Sequence, residues 1–120
     1  RHLPPQPFLV PKQMEEVIEW YEANKRKLHP VWLAAELSER IVTIHPFIDG
    51  NGRVSRLVMN LILLRHGYPI ANIKGDHSSR MAYYTALETV QVEESKIAFV
   101  QFVAQTVKDS LLRYLHILWA

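Results

Sequence analysis

The chain of 120 residues contains no cysteine, which excludes disulfides, a thiol nucleophile and any thiolate metal site, and leaves the redox compartment open. It has little net charge: 14 basic against 12 acidic residues give +2, too small a bias to mark a nucleic-acid binder by bulk charge. Any anion it takes must be gripped locally. It lacks a long hydrophobic run; "LVMNLILL" is far short of the roughly 20 residues that span a bilayer, so a soluble chain with no membrane partner is expected. There is no basic-then-apolar leader and no initiating methionine before Arg1, so the expectation is a single domain over residues 1–120 that is a fragment of something longer upstream. Repeats, low-complexity tracts and hairpin patterns are absent too. Among the six histidines, His2, His29, His66, His77 and His116 lack the spacing that pairs two ligands on one helix face, which argues against zinc.

What is present is helix. The opening "RHLPPQPFLVP" holds four of the seven prolines and is expected to be an extended arm. After Pro11, Met14, Val17, Ile18 and Tyr21 recur at helical spacing opposite Lys12, Glu15, Glu16, Glu19 and Glu22. Pro30 can open a second helix with Val31, Ala34, Ala35, Leu37, Ile41 and Ile44 on a broad apolar face, and Pro46 closes it. From Arg53 onward, Val54, Leu57, Val58, Leu61, Ile62 and Leu64 make a pattern apolar almost all round, which predicts a central buried helix ending at Gly67 and Pro69. A further helix is predicted from about Ser79 to Val90, and a last one carries Ile97, Val100, Ala104, Val107, Leu111, Tyr114 and Leu118. The fold expected is all-α, a helical bundle around one buried helix. The final "LLRYLHILW" is expected to be core, with a dimer seam as the alternative, and Trp20, Trp32 and Trp119 read as packing residues.

Two of the only four glycines flank Asn51 in "IHPFIDGNGR". Glycines there let a ligand approach the main chain, consecutive N–H groups can form an anion nest, and the next helix points its positive end at the same place. Arg53 and Arg56 share a helix face and can both reach that anion with planar forks. Asp49 is a hard oxygen ligand of the kind that holds Mg²⁺ beside phosphates. His45 can act as general base on an incoming hydroxyl. Taken singly, each has an ordinary structural reading: helix punctuation, a helix-end histidine, solvated arginines. Together they form a set suited to phosphoryl-type transfer, whose catalysis is mostly positioning and charge neutralisation.

The same residues carry a resemblance. His45, Phe47, Asp49, Gly50, Asn51, Gly52, Arg53 and Arg56 match H-x-F-x-(D/E)-G-N-G-R-x-x-R, the signature of the Fic family, and "HPVWLAAELSERIVTIHPF" and "RLVMNLILLRHGYP" look like that family's core helices. The resemblance implies a Fic fold with the catalytic loop between two core helices and a partial flap arm at the N-terminus. It implies a protein adenylyltransferase, moving AMP from ATP with Mg²⁺ to a Tyr, Thr or Ser hydroxyl of a target protein and releasing pyrophosphate. His45 would be the base and Asp49 the metal ligand. Gly50, Asn51 and Gly52 would cradle phosphates, Arg53 and Arg56 would neutralise the outer ones, and Phe47 would pack inward to anchor the loop.

"SRMAYYTAL" resembles the adenine-side helix, with Tyr83 and Tyr84 as candidates of which one is expected to touch the base. Gln91 stands where some relatives carry asparagine, a departure at that contact. Arg1 to Leu3 resemble the flap that pairs with an extended target segment. The self-inhibitory pattern (S/T)-x-x-x-E-(G/N) is matched in spacing only by Thr89 and Glu93, and Glu94 breaks it. An inhibitory helix is therefore expected from upstream of Arg1 or from another chain, and with it removal of AMP from targets; without it the domain should be derepressed. The compartment implied is cytoplasmic and bacterial, with the endoplasmic reticulum lumen as the alternative. Competing functions are a Fic-fold transferase with another nucleotide donor and a non-catalytic nucleotide- or partner-binding module.

Overall fold

The structure is a computed structural model and describes residues 4–73, 75–93 and 95–119. All regular structure in these residues is helical: a 3₁₀ turn at Pro7–Leu9, then α1 (Val10–Asn24), α2 (Pro30–Ile44), α3 (Asn51–Arg65), α4 (His77–Glu93) and α5 (Ile97–Trp119). The expected bundle is borne out. The arm, however, is not extended throughout. Gln6 is extended, but Pro7 then starts a turn closed by the Leu9 N–H on the Gln6 carbonyl at 2.9 Å, because proline's fixed φ suits a first helical position that needs no donor. The expected pairing of Arg1 to Leu3 lies outside the described residues, as does Glu94.

α2 is the helix at the centre, in contact with α1, α3 and α5. His29 starts it by accepting the Val31 N–H on Nδ1 at 3.1 Å, with Pro30 at the first position. Leu33, Ala34 and Ala35 are fully buried, and burial continues through Leu37, Ile41 and Ile44. Two glutamates are buried with them and each has a cation. Arg40 pairs with Glu36 at 2.6 Å while lying over the Trp20 ring at 4.5 Å, and Lys96 pairs with Glu39 at 2.8 Å. Such partners are what make a buried carboxylate tolerable.

The sequence pattern placed the central role on the next helix, and this is corrected. α3 buries Met59, Ile62 and Leu63 against α2, but Leu57, Leu61 and Leu64 remain more than half exposed. An all-round apolar pattern tells how much surface a helix could bury, not how many neighbours arrive to cover it. Past the end of α3, Gly67 with φ +82° allows the Tyr68 N–H to reach back to Leu63 at 2.9 Å. α5 is also divided. Phe99, Val103 and Val107 join the core, whereas Leu111 to Trp119 stay exposed, so the terminal segment and Trp119 are not core as expected.

Candidate active site

The loop between α2 and α3 is set by its two ends. At the end of α2 the His45 N–H still bonds Ile41 O, at 3.1 Å, but its own backbone turns left-handed (φ 58°, ψ 57°), an unusual conformation for a residue with a side chain. Pro46 explains the break, since it disfavours right-handed helix in the residue before it. The exposed imidazole is steered by Nδ1, 3.4 Å from Val42 O. At the far end, Gly50 caps α3 with φ +81° and no side chain over the first turn. The first ladder bond runs from Val54 N–H to Gly50 O at 2.9 Å, leaving the N–H groups of Asn51, Gly52 and Arg53 without intrahelical acceptors.

Asn51 joins those ends. Its Oδ1 accepts the Phe47 N–H and its Nδ2 donates to Phe47 O, both at 2.8 Å, and the residue is buried. The loop is anchored through the backbone of Phe47 and not through its ring, which is half exposed; the expectation of an inward-packed ring is corrected. One buried carboxamide satisfies two main-chain groups at once, so the ring is not needed as an anchor. Asn51 therefore has its N–H left for the cavity, its side chain being committed to the loop.

Over the start of α3 lie two guanidinium groups. A methyl group added to Gly50 would sit 3.3 Å from Arg53 Nη2, and one added to Gly52 would sit 3.0 Å from Arg56 Nη1. The glycines thus leave room for both arginines to fold back toward the free N–H groups. Asp49 accepts the Gly50 N–H on Oδ1 at 2.8 Å and stands 3.9 Å from Arg53 through Oδ2. The Asp49 and Arg53 side chains are 92% and 77% exposed, so this pair is weak and both groups remain available to a ligand.

His45, Asp49, Gly50, Asn51, Gly52, Arg53, Arg56, Tyr83 and Tyr84 all line one cavity of about 380 Å³. Val42, Ile48 and Leu87 complete it, and sequence reasoning missed them. Val42 had a signal, lying on the last turn of α2 three residues before His45. The two tyrosines differ. Tyr83 is buried against Phe99 and Phe102 with the Arg56 guanidinium 5.6 Å from its ring centroid; Tyr84 is half exposed. A second cavity of about 430 Å³ shares Val42, His45, Tyr84 and Leu87 and extends to Pro4, Glu88 and Gln91. A third, of about 250 Å³ between Asn72 and Arg113, contains none of the loop groups.

α4, which carries the tyrosines, begins at a capped turn. Asp76 accepts the Ser79 N–H at 3.1 Å and the Ser78 hydroxyl at 3.0 Å. The Ser79 backbone bond above all, then the Ser79 and Ser78 hydroxyls, hold the Asp76 carboxyl below its ordinary value.

A model of the Fic/DOC family matches residues 1–63, just over half of the chain. The chain belongs to the Fic/DOC family. It is 39% identical over 120 residues to a protein adenylyltransferase Fic from Drosophila willistoni and 40% identical to one from Culex quinquefasciatus, spanning 99% of this chain and 23% of each relative. The Fic chain thus covers about a quarter of these relatives. Its fold superposes on a Fic-domain-containing signalling protein from Bacteroides thetaiotaomicron with a TM-score of 0.82 and 33% identity, over 92% of this chain and 46% of that one. Fic-1 (residues 134–508) from C. elegans gives a TM-score of 0.84 and 31% identity, over 94% and 34%.

Among the described residues no group of three or more His, Cys, Asp or Glu converges to hold a metal ion, and no helix is long and apolar enough to cross a membrane.

Proposed function

We propose that this Fic domain transfers AMP from ATP to a hydroxyl of a target protein. The observation that carries the reading is the convergence on one cavity of a histidine, a free carboxylate, a helix N-terminus and two guanidinium groups. The names of the relatives point the same way. The triphosphate is the natural occupant of the N-terminus of α3: three N–H groups face it, the helix dipole favours negative charge, and Arg53 and Arg56 offer planar donors without a strong competing carboxylate.

His45 lines the same cavity as these cations. As general base it takes the proton of a Tyr, Thr or Ser hydroxyl of the target protein; the oxygen attacks the α-phosphorus, the bond from that phosphorus to the α,β-bridging oxygen breaks, and pyrophosphate leaves. The left-handed backbone at His45 turns its side chain out of the α2 ladder and into the open. Asp49 fits Mg²⁺ in the way that ion is usually held, by one exposed carboxylate plus phosphate oxygens. The ion would supply charge neutralisation at the β- and γ-phosphates. Of the tyrosines, Tyr84 faces the nucleotide and Tyr83 supports Arg56 from below.

The test is mass spectrometry of the domain incubated with MgATP, alone and with a cell lysate, beside a His45→Ala variant. Adenylate-sized adducts that depend on His45 support transfer. A variant that labels as well as the parent removes the catalytic role of His45, and MgATP binding with no adduct in either sample removes the transferase reading.

A further inference from the structure

The cavity of about 250 Å³ between Asn72 and Arg113 shares no lining residue with the one around His45. α5 supplies most of its wall. Toward the core that helix buries Phe99, Val103 and Val107, but along the cavity it presents Gln105, Thr106, Asp109, Ser110 and Arg113, polar residues at helical spacing on one face. Ile73 after α3, Ala82 on α4 and Phe102 on α5 make the apolar part of the lining.

Ser110 is 6% exposed, and its hydroxyl has no hydrogen-bond partner among the described residues. Thr106, one turn earlier, satisfies its own hydroxyl on Phe102 O at 2.9 Å. Ser110 does not make the corresponding bond to Thr106 O, so its polar group is left for whatever enters the cavity. The charges are left open in the same way. Asp109 and Arg113 stand four residues apart, the spacing at which a carboxylate and a guanidinium pair on a helix. Here Asp109 Oδ1 accepts the Gln105 amide at 2.9 Å, and Arg113 has no ion pair among the described residues. One anion and one cation, about 5–6 Å apart at their Cβ atoms, thus border one small space.

We propose that this cavity binds a free α-amino acid with an aliphatic side chain. Its ammonium meets Asp109, its carboxylate meets Arg113 and the Ser110 hydroxyl, and its side chain lies against Ile73, Ala82 and Phe102. The two charged ends of an α-amino acid are separated by a single carbon, so it fits between opposite charges one helical turn apart. A longer zwitterion would have to fold. Asn72 lines the same space with a carboxamide that both donates and accepts. The volume corresponds to about eight waters at roughly 30 Å³ each, which suits valine or leucine and excludes a nucleotide. This site goes beyond the transferase reading and does not depend on it.

Were the polar stripe only a hydrated seam, no amino acid would saturate it and Ser110 would be silent. The experiment is an amide NMR titration of the domain with L-leucine, N-acetyl-L-leucine and L-leucinamide, each to about 10 mM, past the millimolar range of a weak small-ligand site. L-leucine should give saturable shifts at Ala82, Ser110 and Arg113. N-acetyl-L-leucine lacks the ammonium and L-leucinamide lacks the carboxylate, so each should bind about tenfold more weakly.

Three variants locate the contacts, with thermal melting to confirm each fold. Arg113→Met should weaken leucine about tenfold and leave leucinamide unchanged, and Asp109→Asn should weaken leucine and leave N-acetyl-L-leucine unchanged. Ser110→Ala should weaken leucine about fivefold with an unchanged or raised melting temperature, because the hydroxyl it removes is buried and unpaired. No saturable shift with leucine overturns the inference. Equal affinity for the three ligands means a crevice that reads neither charge, and tighter binding of N-acetyl-L-leucine or L-leucinamide means a site for one charge only; either result overturns it. Leucine binding that all three variants leave unchanged places the ligand elsewhere and overturns it as well. If a variant fails to fold, the three ligands on the parent domain decide.

Discussion

Asn51 holds Phe47 by its main chain: the carboxamide oxygen takes the Phe47 N–H and the carboxamide nitrogen gives to the Phe47 carbonyl, each at 2.8 Å. This pair of hydrogen bonds from one side chain to one residue closes the loop between Phe47 and Asn51, and thereby ties the segment after His45 to the start of α3. Replacing Asn51 by Ala leaves two polar groups near the buried side of the loop without their partner, at a cost of about 1–3 kcal/mol. Because a misplacement of about 1 Å at reacting groups can cost about 10²-fold, transfer should fall by more than the stability loss explains. Urea unfolding beside a transfer assay, run where the variant is fully folded, separates the two. Transfer that survives in folded Asn51→Ala would show that the loop holds its shape by other means.

Gly52 offers the opposite pairing of signs. It is helical, and alanine is favoured over glycine within a helix by about 1 kcal/mol, so Gly52→Ala should not destabilise the fold. The added methyl nevertheless meets Arg56 Nη1 at 3.0 Å and pushes the guanidinium off the helix start. Weaker MgATP binding, about tenfold if one charge-assisted hydrogen bond is lost, is expected with an unchanged or raised melting temperature. Calorimetry and a thermal melt on the same sample check both signs.

Much of this was legible in the sequence, for reasons that can be named. Pro30 and Pro46 mark both ends of α2, because proline acts locally on the backbone. The site residues from His45 to Arg56 fall within one turn and one helix, so their convergence needs little tertiary information. What was not legible depends on how separate elements meet. Leu57, Leu61 and Leu64 look like core by composition and are left uncovered because α3 has α2 on one side only. Asn51 reads as a ligand contact because nothing in its sequence neighbourhood tells that its side chain turns back on Phe47. The Lys96–Glu39 pair joins residues 57 positions apart, a distance no spacing rule covers.

Asp76 links pH to the helix that carries both tyrosines. Its carboxyl is held below its ordinary value by the Ser79 N–H and the Ser79 and Ser78 hydroxyls. A carboxyl with a lowered folded-state pKa adds stability above its unfolded value of 3.8, and that stability is lost as pH falls through the lower folded value. The start of α4 should therefore loosen under acid below about pH 4, and Asp76→Asn, which keeps an acceptor but does not titrate as a carboxyl, should lose this part of the acid response. Amide exchange at Ser79 and Arg80, followed against pH in both proteins, reads it directly. Identical profiles in the two would assign the acid sensitivity to other groups.

Tyr83 and Tyr84 are neighbours in sequence with separable roles. Tyr83 is 2% exposed, packed against Phe99 and Phe102, and its hydroxyl has no hydrogen-bond partner. Removing an unpaired buried hydroxyl spares its desolvation cost, so Tyr83→Phe should leave stability unchanged or raise it by up to about 1 kcal/mol. Affinity for ATP should not change, because the ring that supports Arg56 is retained. Tyr84 is half exposed and borders both cavities, where its ring can stack on a base. Base–aromatic stacking contributes about 1–3 kcal/mol, so Tyr84→Ala should weaken ATP by one to two orders of magnitude while sparing tripolyphosphate. Titrating both ligands into both variants assigns the ring that meets the base. A Tyr83→Phe variant that loses ATP affinity, beside a silent Tyr84→Ala, would reverse the assignment.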